Sequence, residues 1–171
     1  MFTKGSFTAL VLWMCLDGLA NAQLFRWGPE IKEISALELH QLIVAEAQRT
    51  RQLTATGNAA RKPEFVVVDV RDPSEYQVSL IPGAISKAQY ENDLRSYAGT
   101  TVIPYCTVGG RSAQYAKQLA AKGVKVLNFK ESIIGWCNAR LPLVTVDGKT
   151  TNQVHIYNSR YRVPAEYQAV Y

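Results

Sequence analysis

Short, continuously apolar runs alternate along the chain with longer segments in which apolar residues recur every three or four positions. The apolar runs are rich in β-branched side chains, which is typical of strands buried on both faces. They are "FVVVDV" (65–70), "TVIPYC" (101–106) and "VKVLNF" (124–129). The periodic segments predict helices at 35–48, 88–99 and 112–123, followed by a short helix before Pro142.

Several residues mark where these elements begin, end or turn. Ser35 and Glu38 have the spacing of a capping box at the start of the first helix. The polar stretch 49–64 has no clear period and predicts a loop, and "IPGA" (81–84) predicts a type II turn. Pro104 has no N–H to donate, so the strand that contains it is expected to be irregular near its end or exposed on one side.

The order of the elements predicts the fold class. Strands that alternate with helices pair in parallel through right-handed crossovers, which gives a three-layer α/β domain with a central, mostly parallel sheet flanked by helices. In such sheets the chemistry gathers where strands end and the next helices begin. Cys106 lies at a junction of this kind, between the second strand and the helix at 112–123.

Composition and charge exclude several function classes. The 171 residues are 47% hydrophobic and 19% charged, which suits one globular domain. The net charge is +5, but the basic residues are scattered rather than clustered, so no nucleic-acid surface is expected. The three cysteines and two histidines (Cys15, Cys106, Cys137, His40 and His155) lack the spacing of metal ligands, and no metal or other cofactor is expected.

The first 22 residues have the pattern of an export signal. Lys4 supplies the positive charge, residues 7–16 supply a short apolar stretch, and Ala20 and Ala22 give the small residues of a cleavage site before Gln23. Ten apolar residues are too few to span a bilayer, which needs about 20. The sequence therefore predicts a periplasmic or secreted mature chain with no stable membrane insertion. The alternative is a buried or interfacial N-terminal helix.

The segment "CTVGGRS" (106–112) has the composition of an anion-binding loop. Two glycines allow backbone N–H groups to turn inward, and the start of the following helix adds unpaired N–H groups and positive potential. Arg111 adds a cation, and together these groups would stabilise a thiolate on Cys106 or cradle an anion. The alternative is a small buried cysteine before a glycine turn. The predicted loop residues are Thr107, Val108, Gly109, Gly110, Arg111 and Ser112.

These motifs resemble those of the single-domain rhodanese-like sulfurtransferases. The resemblance rests on "DVRDPSEY" (69–76), "IPGA" (81–84) and "YCTVGGRSAQYAKQLAAKGVKVL" (105–127), and it runs from about residue 65 to residue 142. It implies that Cys106 takes sulfane sulfur from a donor, holds it as a persulfide and passes it to a nucleophilic acceptor. The expected partners are small sulfur donors and acceptors or a carrier protein.

Loop length separates this chemistry from that of its nearest rival. Four residues lie between Cys106 and Arg111, whereas the similar loop of cysteine-dependent phosphatases has five and gives a wider cradle, so phosphatase activity is not expected. Two alternatives remain open. The domain could be a non-enzymatic docking module, or Cys106 and Cys137 could form a reversible disulfide, which an exported location would permit.

The remaining expectations concern residues around the loop and the ends of the domain. Asp69 and an Arg71–Glu75 pair are expected to hold a loop in place, and Arg71 is a candidate second anion contact. The rhodanese-like domain is expected at 23–144, with its core at about 35–142. The tyrosine-rich tail at 145–171 has no role that the sequence reveals.

Overall fold

The computed structural model describes residues 30–59 and 61–171, which contain a small parallel sheet with helices on both of its faces. The predicted export signal and Cys15 lie outside the described residues. The strands are β1 (Phe65–Asp69), β2 (Ile85–Ser86), β3 (Thr101–Tyr105), β4 (Leu143–Val144), β5 (Thr150–Thr151), β6 (Gln153–His155) and β7 (Gln168–Val170). The helices are α1 (Ala36–Ala55), α2 (Pro73–Tyr76), α3 (Lys87–Asn92), α4 (Gly110–Ala121) and α5 (Ser132–Asn138).

The central sheet has the strand order β2-β1-β3, and both pairings are parallel. Segments 125–129 and 32–34 continue the sheet beyond β3 through isolated parallel bridges. The α/β class predicted from the alternation of strands and helices is therefore confirmed. Because β1 and β3 are parallel, their carboxyl ends lie at the same edge of the sheet, and Cys106 follows β3 directly at that edge.

The two faces of the sheet pack against different helices, which makes the three layers. Side chains alternate along β1, so that Val67 faces the cluster that contains α1, α5 and the tail, while Val66 and Val68 face α3 and α4. Both clusters are formed by buried side chains, and Trp136 and Phe129 are among the largest in the first. The sheet is thus covered on both sides, as the continuous apolar runs predict.

The first helix begins where the sequence predicts and ends later. The Ser35 hydroxyl accepts from the Glu38 N–H, and the Glu38 carboxylate accepts from the Ser35 N–H, which confirms the capping box. The helix continues to Ala55 through part of the predicted loop at 49–64, because that stretch is rich in good helix formers. It ends before Gly57, whose φ of +69° suits a helix stop.

Two further predictions need correction. The helix predicted over 88–99 is α3 followed by a run of turns, in which the Asp93 carboxylate accepts from the Ser96 N–H and competes with helical bonding. The strand predicted at 124–129 forms only isolated bridges. Pro104 has no N–H for the carbonyl of Leu127, so one bond between this segment and β3 is missing, although Phe129 N still donates to Pro104 O at 3.3 Å.

The "IPGA" turn has the predicted type II geometry. Ala84 N donates to Ile81 O at 3.0 Å, and Gly83 has a φ of +77°. The tail beyond residue 144 packs against the domain: β6 and β7 pair in parallel, and Val154 and Ile156 are buried in the α1/α5 cluster. In residues 30–59 and 61–171 no helix combines the length and apolar character that crossing a membrane requires.

Candidate functional site

Cys106 lies between the end of β3 and the start of α4, so the predicted loop is placed at the carboxyl edge of the sheet. Cys106 is 1% exposed, whereas Val108 in the same loop is 42% exposed. The thiol is thus almost entirely covered, while the side chain of Val108, two positions further along the loop, is accessible.

The first turn of α5 fixes the orientation of the loop backbone. Ile133 N donates to Cys106 O at 3.0 Å, and Ile134 N donates to Thr107 O at 3.2 Å. These bonds occupy the carbonyl groups of the loop on the side of α5. The N–H groups that follow are therefore free to converge on the sulfur.

Convergence of N–H groups lowers the pKa of the Cys106 thiol. Burial alone would raise this pKa, but the N–H groups of Ser112, Val108 and Gly109 hold it below its ordinary value of 9.0, with a smaller contribution from Ser132. The Gly109 N–H donates to Cys106 Sγ at 3.1 Å. The arrangement favours a thiolate without any histidine base.

Gly109 is the loop position where a side chain would not fit. Its φ is +93°, a conformation that residues with a side chain rarely adopt. A Cβ at this position would lie 2.2 Å from the carbonyl oxygen of Lys130. The close approach of Lys130 to the loop thus depends on glycine at 109. Gly110, by contrast, has open space around it and begins α4.

Ser132 is a site residue that the sequence analysis did not single out. Its hydroxyl oxygen accepts from Cys106 N at 3.0 Å and lies 3.8 Å from Cys106 Sγ. Its φ of +55° is unusual for a residue with a side chain. Strained conformations of this kind cluster at functional sites. Within "ESIIGW", no local signal marks this serine, because its role arises only when α5 reaches the loop.

A buried carboxylate holds Arg111. Glu75 Oε2 accepts from Arg111 Nη1 at 2.5 Å and Glu75 Oε1 from Arg111 Nη2 at 2.7 Å, and the Thr107 hydroxyl donates to Glu75 Oε1 at 2.9 Å. Although burial opposes the charged form, the bonds from Arg111, Asp72 N and Thr107 lower the pKa of Glu75 to about 2. The carboxylate is therefore charged at neutral pH.

The expected pairing of Arg71 with Glu75 is wrong. Arg71 instead pairs with Asp69, and its Nε and Nη2 donate to that carboxylate with distances of 2.5 to 3.0 Å. Both side chains are fully buried. Asp69 thus holds the segment after β1 in place, as expected, and a role for Arg71 as a second anion contact stays a prediction.

The tail supplies two side chains next to the Glu75–Arg111 pair. His155 Nδ1 lies 3.8 Å from Glu75 Oε1 and accepts from Tyr157 N at 3.2 Å. The Tyr157 ring lies 5.9 Å from the guanidinium carbon of Arg111. The sequence of this tail reveals no role, because nothing in its pattern indicates which edge of the sheet it reaches.

The pKa of the second cysteine of the described residues is shifted in the opposite direction from that of Cys106. Cys137 is buried in the core, and its burial raises the pKa of its thiol to about 12. It is a free thiol, as is Cys106. Within the described residues no group of three or more His, Cys, Asp or Glu side chains has the arrangement of a metal site.

Comparison with known proteins gives consistent similarities. A family model described as the rhodanese-like domain matches residues 50–139. A sulfurtransferase from Allochromatium vinosum is 32% identical over 89 residues, which are 50% of this chain and 83% of that protein.

Two other similarities are more limited. A tRNA sulfurtransferase from Desulfurococcus amylolyticus is 35% identical over 69 residues, which are 39% of this chain and only 14% of that protein. Among solved structures, a rhodanese-related protein from Thermoplasma volcanium aligns with a TM-score of 0.49 at 20% identity and covers 66% of this chain and 97% of that chain.

Proposed function

The chain belongs to the rhodanese-like domain family, and from that premise we propose that it is a sulfurtransferase whose sulfur carrier is Cys106. The sulfurtransferase from Allochromatium vinosum, of which this chain covers 83%, supports the same reaction type. The observation that carries the proposal is the set of N–H groups that converge on Cys106 Sγ and lower its pKa.

The proposed reaction has two displacement steps. In the first, the Cys106 thiolate attacks the sulfane sulfur of a donor, the bond from that sulfur to the rest of the donor breaks, and the leaving group takes the electron pair. In the second, a nucleophilic acceptor attacks the outer sulfur of the resulting persulfide, and the thiolate is restored. The sulfane sulfur moves from donor to acceptor with no external oxidant or reductant.

The loop suits both charged states of this cycle. A persulfide has a lower pKa than its parent thiol, so its outer sulfur is an anion at neutral pH. The N–H groups of Val108, Gly109 and Ser112 stabilise the thiolate and can stabilise that anion, since preorganised donors act most strongly in a water-poor site.

Three other residues act as positioning residues in this proposal. Ser132 holds the Cys106 N–H and lies beside the sulfur. The buried Glu75 and the partly exposed Arg111 form a clamp that ties the loop to the segment after β1. The raised pKa of Cys137 makes that thiol a poor nucleophile, which argues against a redox pair with Cys106.

The test is direct loading of sulfur onto the protein. Incubation with a panel of sulfane donors, followed by intact mass measurement without reductant, should show one added sulfur atom. Cyanide should remove it as thiocyanate.

Two variants make this result specific. Cys106→Ser should not load, and Cys137→Ser should load as the wild type does. If no donor loads the wild type, or if loading depends on Cys137, the sulfurtransferase proposal fails and a non-enzymatic docking role takes its place.

A further inference from the structure

His155, the last residue of β6, lies between a turn of the tail and the carboxylate that holds the cysteine loop. Its Nδ1 accepts from Tyr157 N at 3.2 Å and lies 3.8 Å from Glu75 Oε1. The side chain of His155 is 16% exposed and that of Glu75 is 4% exposed, so the two groups meet largely out of water. Because Nδ1 accepts a hydrogen bond, the ring in this arrangement is neutral and carries its proton on Nε2.

Glu75 Oε1 already has the two donors that a carboxylate oxygen accommodates. They are Arg111 Nη2 at 2.7 Å and the Thr107 hydroxyl at 2.9 Å, and both belong to the cysteine loop. The other oxygen, Oε2, accepts from Arg111 Nη1 at 2.5 Å and from Asp72 N at 3.1 Å. A further donor to Oε1 must therefore take the place of a bond from the loop.

A proton on Nδ1 would change both contacts of His155. The ring would become a cation, and its Nδ1 could no longer accept from Tyr157 N. The new N–H would lie 3.8 Å from the charged Glu75, and opposite charges that are poorly hydrated attract one another more strongly than in water. Protonation thus exchanges a hydrogen bond within the tail for an ion pair with the carboxylate.

For the Cys106 site proposed above, we infer that His155 is a positioning residue, which couples the cysteine loop to pH by exchanging Tyr157 N–H for Glu75 as its partner. Histidine is the side chain that ordinarily changes its charge between pH 5 and pH 8. The neutral ring leaves Glu75 Oε1 to Thr107 and Arg111, whereas the cationic ring competes with them for it. One proton is taken up, and no covalent bond of the protein backbone or site changes.

The groups packed around β6 leave His155 this choice of partners. Glu75 on α2 and Arg111 on α4 are the charged groups of the clamp, and Arg111 also pairs with the exposed Asp72 at 3.3 Å. The strand β7, which pairs with β6, has only uncharged side chains. The φ of Tyr157 is +69°, which residues with a side chain rarely adopt, so we expect this turn to relax when its N–H loses its acceptor.

The charge gained at His155 acts on Cys106 through Arg111. The guanidinium group and a thiolate on Cys106 attract each other, which is one cause of the raised pKa of Arg111. When Glu75 is shared with a second cation, it neutralises less of the charge on Arg111. The thiolate should therefore be more abundant in acid than a single titration of Cys106 gives, by about threefold for one added charge.

The first test is the rate of Cys106 alkylation between pH 4.5 and pH 9, followed by peptide mass. The wild type should show two steps, and in the acidic one the rate should exceed the single-titration curve by about threefold. His155→Asn should show one step, because its Oδ1 can accept from Tyr157 N but cannot be protonated. His40→Gln, which removes a histidine that packs against Trp136, should retain both steps.

The second test needs no variant and uses nuclear magnetic resonance of the wild type. The amide resonances of Tyr157 and Thr107 should shift with the same midpoint as the ring of His155. They should not follow the midpoint of the His40 ring, which provides an internal reference. This measurement decides the matter even if His155→Asn fails to fold.

The contrary outcomes are equally specific. A wild-type profile with one step, an acidic step that survives in folded His155→Asn, or a Tyr157 amide that ignores the titration of His155 would each overturn the coupling. Neither test uses a sulfur donor, so such a result would leave the sulfurtransferase proposal standing. A failure of sulfur loading would overturn that proposal, while these two measurements would still decide whether His155 acts on the loop.

Discussion

The two adjacent glycines of the cysteine loop, Gly109 and Gly110, have different structural roles. Gly109 has a φ of +93° and lies against the Lys130 carbonyl, whereas Gly110 is an ordinary first residue of α4 with open space around it. The sequence shows the pair but not which member is constrained. Only the approach of the segment before α5 makes position 109 the one that excludes a side chain.

Gly109→Ala should disrupt the loop and raise the pKa of Cys106. The added Cβ would meet the Lys130 carbonyl, and an L-residue with a side chain at this φ costs about 1–2 kcal/mol before any clash. The pKa follows from the rate of thiol alkylation against pH, and the stability from chemical denaturation.

Gly110→Ala is the matched control for that experiment. It should leave the free energy of unfolding within about 1 kcal/mol of the wild type, because alanine favours the helix and meets no neighbour. If the two variants behaved alike, the loop geometry would be different from the one described here.

Contacts between elements are where the sequence was least informative. Local signals in the sequence predict the start of α1, the strands β1 and β3, and the type II turn. The partner of Arg111 had none, because Glu75 lies 36 positions away along the chain and faces the loop only once β1 and β3 align. Ser132 and the tail residues were missed for the same reason.

The Glu75–Arg111 clamp should make stability depend on acid pH. Its carboxyl pKa is lowered in the folded state from 4.5 to about 2, so its contribution is complete above the unfolded-state pKa and is lost as the pH falls toward about 2. The shift corresponds to about 3 kcal/mol of unfolding free energy. Chemical denaturation of the wild type and of Glu75→Gln between pH 6 and pH 2, in the range that these pKa values set, measures it.

The variant comparison isolates this single group. Glu75→Gln should be less stable than the wild type near neutral pH, and the difference should shrink as the solution is acidified. Glu166→Gln, which removes an exposed partner of Arg140, should retain the wild-type dependence. A difference between wild type and Glu75→Gln that did not change with pH would contradict the lowered pKa.

At the scale of the whole molecule, the tail is part of the fold rather than an appendage. Val154 and Ile156 are buried in the same cluster as Leu39 of α1 and Trp136 of α5, and Tyr167 donates to the carbonyl of Leu141 at 2.7 Å. The same segment carries His155 and Tyr157 to the cysteine loop. One stretch of chain therefore joins the core to the Glu75–Arg111 pair beside the cysteine loop.

Val154→Ala should destabilise the protein by about 2 kcal/mol, because it removes two methyl groups from a site with no exposed surface. Val146→Ala is the matched control, since Val146 is 61% exposed, and it should change the free energy of unfolding by less than about 0.5 kcal/mol. Thermal and chemical denaturation measure both. Equal effects would mean that the tail does not pack as described.

The packing of the tail determines which segment of the chain could be separated from the rest, or moved into another gene, with its core intact. The segment that the family model recognises, 50–139, omits most of α1 and all of β6 and β7. A fragment cut at those limits would leave an apolar face of the sheet without Leu39, Val154 and Ile156, and such faces drive aggregation. The segment that recombination could transfer as an intact domain is therefore longer than the segment 50–139 that the family model matches.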